Sequence, residues 1–246
     1  MVHALFLDTY PQRLTNRTLY RHFLDTYPQL VTFCRVIVKQ DIWERVQVPD
    51  SRGVVTEHNH AFKKVGPHYT YARVEAPRGA PMRLWGGCKG YTLLKTTQSS
   101  FVDFHKDPYT SLPQATDRLM GSNFDSEWTY TPDTVAAAVS GRVNFVAIRD
   151  QILDTMTKTF AGPADVGVPS ASVQVTLYQM GGAVLSIAPQ VTDITLYMPN
   201  VHNMPFDLAK LGMSNTDHTG NIDILYPIDE PHGIIQATIV RPGAKL

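Results

Sequence analysis

Hydrophobic positions recur at helical spacing in two long stretches of the chain. Phe145, Ile148, Ile152, Met156 and Phe160 fall three or four residues apart, which predicts an amphipathic helix ended by Pro163 and Gly167. Val173, Leu177, Met180, Val184 and Ala188 repeat the pattern and predict a second helix from about Ser172. Gly181-Gly182 is a soft spot in it, costing about 1 kcal/mol per glycine relative to alanine. On either side of the helices the period changes to two. Ile194, Leu196 and Met198 alternate with polar residues, as do Ile235, Ala237 and Ile239, and both segments read as strands. Tyr91–Thr97 and Asp125–Tyr130 are the preceding strands. Between them, Ser111-Leu112-Pro113-Gln114 reads as a helix start, with Asp117, Arg118 and Leu119 on a short helix. The order strand, strand, helix, helix, strand, strand predicts an α+β unit, an antiparallel sheet with paired helices on one face.

The first third of the chain predicts one helix followed by strands. Leu19, Phe23 and Tyr27 share a helical face within Thr18–Tyr27, and Pro28 ends that helix. Val31–Val38 reads as a buried, β-branched strand and Ile42–Val48 as the next one. A turn at Pro49–Gly53 leads to two more strands, His58–Phe62 and Tyr69–Val74. Pro77–Pro81, with Gly79, is the linker candidate, which divides the chain into units 1–81 and 82–246. The hexapeptide Leu7–Gln12 recurs as Leu24–Gln29, too short for a solenoid repeat.

Composition narrows the partners. The chain has 246 residues, 43% of them hydrophobic, enough for a sizeable core. Its 22 basic and 22 acidic residues balance, so neither a nucleic-acid nor a polybasic membrane partner is expected. No apolar run is long enough to cross a bilayer, and no signal peptide opens the sequence. Cys34 and Cys88 match no metal or redox spacing; both read as reduced thiols, with Cys34 buried in its strand. His58 and His60 share a strand face, but no third metal ligand accompanies them. The chain ends in Ala244-Lys245-Leu246, a conservative variant of the Ser-Lys-Leu address.

Five segments carry candidate chemistry: His58–Phe62, Tyr91–Arg118, Ser170–Tyr178, Met198–His202 and Asp229–Thr238. In type and order they resemble urate oxidase (uricase). The resemblance implies the tunnelling fold, built from such α+β units, and oxidation of urate by dioxygen to 5-hydroxyisourate and hydrogen peroxide without metal or flavin. It also implies a homo-oligomer, a tetramer, in the peroxisome, with the C-terminal tripeptide read by the import receptor. Phe101 would stack on urate, Arg118 and Gln174 would grip its edge, and the Val173 backbone would add a contact. Asn200 would hold dioxygen or water above the ring, and His202 would serve in proton relay. Each role suits its residue. Arginine offers a planar fork of donors, glutamine both a donor and an acceptor, and imidazole titrates near neutrality. Taken singly, Phe101 would read as core, Arg118 as surface charge, Gln174 as an exposed first-turn residue, Asn200 as a turn former and His202 as a loop histidine. Taken together in family order they read as a site. His232, between Pro231 and Gly233, reads as structural.

In the family the general base is an N-terminal lysine paired with the threonine of a Thr-Asp dipeptide from a neighbouring subunit. Both precede the helix corresponding to Thr18–Tyr27. Here only Met1–Arg17 does so, and Asp8-Thr9 has the reversed order. The expectation is a first unit without its opening strand pair, base and partner, with slow or absent turnover. A urate-binding or structural partner subunit is the alternative, and a pterin or another purine is an alternative ligand.

Overall fold

The computed structural model describes residues 16–216, 222–228 and 230–243. Helix α1 (Asn16–Thr26) is followed by four long strands: β1 (Phe33–Pro49), β2 (Val55–Pro77), β3 (Arg83–Phe101) and β4 (Ala115–Tyr130). Helices α2 (Pro132–Val139), α3 (Phe145–Ala161) and α4 (Val173–Ile187) come next. Strands β5 (Val191–Pro199), β6 (His202–Pro205), β7 (Leu225–Ile228) and β8 (Ile234–Val240) close the chain. One antiparallel sheet runs β1-β2-β3-β4-β5-β8, and β6 and β7 pair separately.

The two long predicted helices stand where their periodicity put them. Phe145, Ile148, Ile152, Met156 and Phe160 are the buried residues of α3. Val173, Leu177, Met180 and Val184 are buried on α4. Asn144 and Ser172 cap them, accepting hydrogen bonds from the Ala147 and Val175 amides. Helix α2 was not predicted; Thr131 caps it and Pro132 opens it. Ile194, Leu196 and Met198 are fully buried on β5, against the helices. Gly181 is less a soft spot than a contact point. A Cβ there would lie 2.6 Å from Ile239 Cδ1 and 3.2 Å from Ile239 Cβ, so α4 crosses β8 where no side chain intervenes.

Five expectations need correction. Asp117, Arg118 and Leu119 lie on β4, not on a short helix. Ladder pairing with β3 already begins at Ala115, and Met120, Ser122, Phe124, Ser126, Trp128 and Tyr130 are buried with a period of two. On α1 the buried face is Tyr20 and Leu24, whereas Phe23, and Tyr27 just past the helix end, are exposed. The short strands expected at 31–48 are one strand, half-exposed rather than buried, with Ile37 50% exposed. Cys34 on it is half-buried, while Cys88 is buried, and both are free. Likewise His58–Phe62 and Tyr69–Val74 are parts of the single strand β2.

Pro77–Pro81 forms the turn between β2 and β3, which pair from Tyr69↔Lys89 to Glu75↔Arg83. Beyond Tyr69 the hairpins separate, and β1 and β2 continue as a two-stranded ribbon out to Pro49↔Val55. One hydrophobic core joins α1, the sheet, α3 and α4, from Tyr20 and Leu24 to Val184 and Ala188. The other face of β2–β4 is polar. There Arg73 bridges Glu75 and Glu127 at 2.6 Å each, Tyr71 donates to Glu127, and the Arg73 guanidinium lies 3.8 Å from the Trp85 ring centre.

Candidate active site

The candidate residues sit at strand and helix ends that the backbone gathers together. Phe101 ends β3 and Arg118 lies near the start of its partner β4. The Ser100 amide donates to the Ser170 carbonyl at 2.8 Å, which ties the end of β3 to the segment just before α4. The Val201 amide donates to Gly121 O at 3.0 Å, pinning the β5–β6 corner onto β4 three residues beyond Arg118. The Asn200 amide donates to Gly233 O at 2.9 Å, bringing the segment before β8 to the same corner.

The Arg118 guanidinium carbon is 5.4 Å from the Phe101 ring centre. Phe104 stacks on Phe101 with centroids 4.6 Å apart and 16° between planes, which covers one face of the ring. Among the described residues no carboxylate pairs with Arg118. Burial pushes its pKa down from the usual arginine value. His202, half-buried, is held below the usual 6.5 by burial, by the Arg118 charge and by His232. The shift favours the neutral form of the imidazole. Val173 is buried and Gln174 exposed in the first turn of α4, whose leading amides point to the helix N-terminal side. Among the described residues Gln174 shares no hydrogen bond with Arg118. Asn200 is half-buried beside the corner bond.

Sequence reasoning missed Phe104, and it missed Asp117, whose carboxylate accepts from Thr97 Oγ1 at 2.6 Å and from the Gln98 amide at 2.8 Å. The neighbouring Lys95 is committed elsewhere: its Nζ donates to Phe160 O at 3.3 Å and Val168 O at 2.9 Å. His58 and His60 pack edge to face at 4.5 Å, and no group of three metal-ligating side chains occurs among the described residues. Asp8-Thr9 and Ala244-Lys245-Leu246 lie outside the described residues. A cavity of about 220 Å³ lies apart from the site, between α1 and the β2–β3 turn, against Tyr20, Leu24, Ala76 and Met82.

The uricase family model matches residues 85–236, more than half of the chain and all of the segment that carries these side chains. The chain belongs to the uricase family. It is 38% identical over 205 residues to a uricase of Arabidopsis thaliana, covering 83% of this chain and 64% of that one. It is 35% identical over 221 residues to uricase-2 isozyme 1 of Canavalia lineata, covering 88% and 68%. The crystal structure of the uricase from Arthrobacter globiformis superposes with a TM-score of 0.73 at 28% identity, over 92% of this chain and 69% of that one. The α+β tunnelling fold expected from the motifs is thus the fold of this chain. The chain spans about two thirds of the length of the uricases it matches.

Proposed function

We propose that this uricase-family chain binds urate against Phe101 and takes part in its oxidation. Urate, dioxygen and water would give 5-hydroxyisourate and hydrogen peroxide, the purine supplying both electrons, so neither metal nor flavin is invoked. The observation that carries this reading is Arg118, a guanidinium with no carboxylate partner among the described residues, 5.4 Å from the Phe101 ring centre. An anionic purine stacked on Phe101 would meet a planar fork of donors at its edge. The first-turn amides of α4 and the Gln174 side chain would add donors and an acceptor. Asn200 would face the oxygen side, and neutral His202 would accept a proton. The division at 81/82, assembly into a homotetramer, peroxisomal residence and import through Ala244-Lys245-Leu246 belong to the same proposal.

One observation favours a second reading, a urate-binding or structural subunit with little turnover. Among the described residues Lys95, the lysine beside the candidate site, has its ammonium tied to two carbonyls and offers no free amine to act as base. A positioned base contributes about 10²–10⁴-fold. The test follows urate absorbance and peroxide release with purified, metal-free protein, alongside urate binding by calorimetry. Arg118→Ala should weaken binding by about 1.5–3 kcal/mol, the worth of a hydrogen bond to a charged group. Unchanged affinity would overturn the site, and binding without peroxide would select the second reading.

A further inference from the structure

We propose that Asp117 is a positioning residue, which sets the distance between Arg118 and the first turn of α4 through a latch at Thr97–Ser100. This deepens the urate-site reading and rests on it.

The β3–β4 ladder pairs Lys95 with Met120 and then Ser99 with Arg118. Four residues of β3 therefore span what two of β4 span, and the surplus bulges out of the sheet. Gln98, in that bulge, has a φ of 61°, a left-handed backbone that glutamine rarely adopts. Such a conformation persists only where its surroundings fix it. Asp117 fixes it from the β4 side, accepting from Thr97 Oγ1 and from the Gln98 amide. Those bonds also hold its carboxyl below the usual range.

The outer side of the bulge holds the connection from α3 to α4. Gln98 O accepts from the Ser170 amide at 2.8 Å, Ser170 O accepts from the Ser100 amide at 2.8 Å, and Gln98 Nε2 donates to Val166 O at 2.8 Å. Two residues on, Ser172 caps α4 and Val173 and Gln174 form its first turn. The Ser170 hydroxyl adds contacts to Ser172 O at 3.1 Å and to Thr176 Oγ1. One carboxylate thus lies next to Arg118 in the chain and, through the bulge, is hydrogen-bonded into the mount of Gln174. Its loss frees Gln98 to return to negative φ and lets the two arms of the grip drift apart.

Two readouts test this, one of them independent of urate. In Asp117→Ala, hydrogen exchange at the Gln98, Ser100 and Ser170 amides should quicken while α3 stays protected. Urate binding should weaken about tenfold, the size of one lost hydrogen bond to a charged group. Asp117→Asn, which keeps an acceptor for the Gln98 amide, should recover most of both. The binding loss should shrink in an Arg118→Ala background, because a residue acting through the grip has nothing left to align. If Asp117→Ala does not fold, Thr97→Val removes one strut and should shift both readouts in the same direction. Unchanged exchange at Gln98 and Ser170 overturns the latch. So does an Asp117→Ala loss that stays undiminished in Arg118→Ala, since a merely structural role gives that result. Wild-type protein that ignores urate while Asp117→Ala loosens the α4 first turn overturns the urate reading and leaves the latch standing.

Discussion

Gly181 and Gly182 are neighbours in one helix, yet alanine should act on them in opposite directions. Helix propensity alone favours alanine by about 1 kcal/mol at either position. At Gly182 nothing lies within 4 Å of an added Cβ and the residue is exposed, so Gly182→Ala should realise that gain. At Gly181 the new carbon would stand 2.6 Å from Ile239 Cδ1, 2.9 Å from Cγ1 and 3.2 Å from Cβ. A rotamer change can move Cδ1 aside, but Ile239 Cβ is fixed to the backbone of β8, so α4 must lift off the sheet. Overpacking of this kind costs about 1–3 kcal/mol. Against the propensity gain, Gly181→Ala should come out between neutral and about 2 kcal/mol destabilised, so the two variants should differ by about 1–3 kcal/mol. Urea titration at fixed protein concentration reads the difference, and about 2–4 °C per kcal/mol should separate their melting temperatures. Equal stabilisation of both variants would refute the packing argument, because it would mean that α4 does not bear on Ile239.

Two further outcomes follow from the site and its supports. His202 sits below its ordinary 6.5, so as pH falls through that value the unfolded chain takes up a proton before the folded one does. The stability that neutral His202 contributes is present above about 6.5 and is lost as pH drops toward the folded value. His202→Gln should flatten this part of the acid slope, and an unchanged slope in urea titrations across the window would count against the assignment. Lys95→Met keeps the aliphatic stem but leaves the Phe160 and Val168 carbonyls without their donor, which should cost about 1–3 kcal/mol in the urea midpoint. A midpoint equal to wild type would mean that the ammonium does not hold the end of α3.

The helices and β5 were legible because each buries one face and repeats its period without interruption. Phe145 to Phe160 and Ile194 to Met198 carry the whole signal in side-chain type. Strand β4 was half legible. Its second half alternates plainly, but Ser111-Leu-Pro-Gln imitates a helix start, and only pairing with β3 reveals that Asp117–Leu119 is extended. The long hairpin of β1 and β2 broke into pieces because half-exposed strands need no hydrophobic alternation, and four-residue β6 and β7 gave no period at all. At the site, residue types suggested the chemistry of Phe101, Arg118, Gln174, Asn200 and His202. The bulge in β3 beside Arg118 was invisible. A left-handed Gln98 is dictated by the Asp117 carboxylate and by Ser170, each brought to it by tertiary pairing, and not by any local preference of glutamine.

The ribbon that β1 and β2 make beyond Tyr69 has a calorimetric consequence. From residue 42 to residue 68 it contains no buried side chain, and Trp43 is 57% exposed. A two-stranded ribbon of that kind is marginal by itself in water. Heat capacity and denaturant sensitivity scale with the area that unfolding exposes, and the ribbon, about a tenth of the chain, adds length with almost no hidden apolar area. Its melting would pass nearly silently in a scanning calorimeter. The thermodynamic size of this protein is therefore smaller than its covalent size.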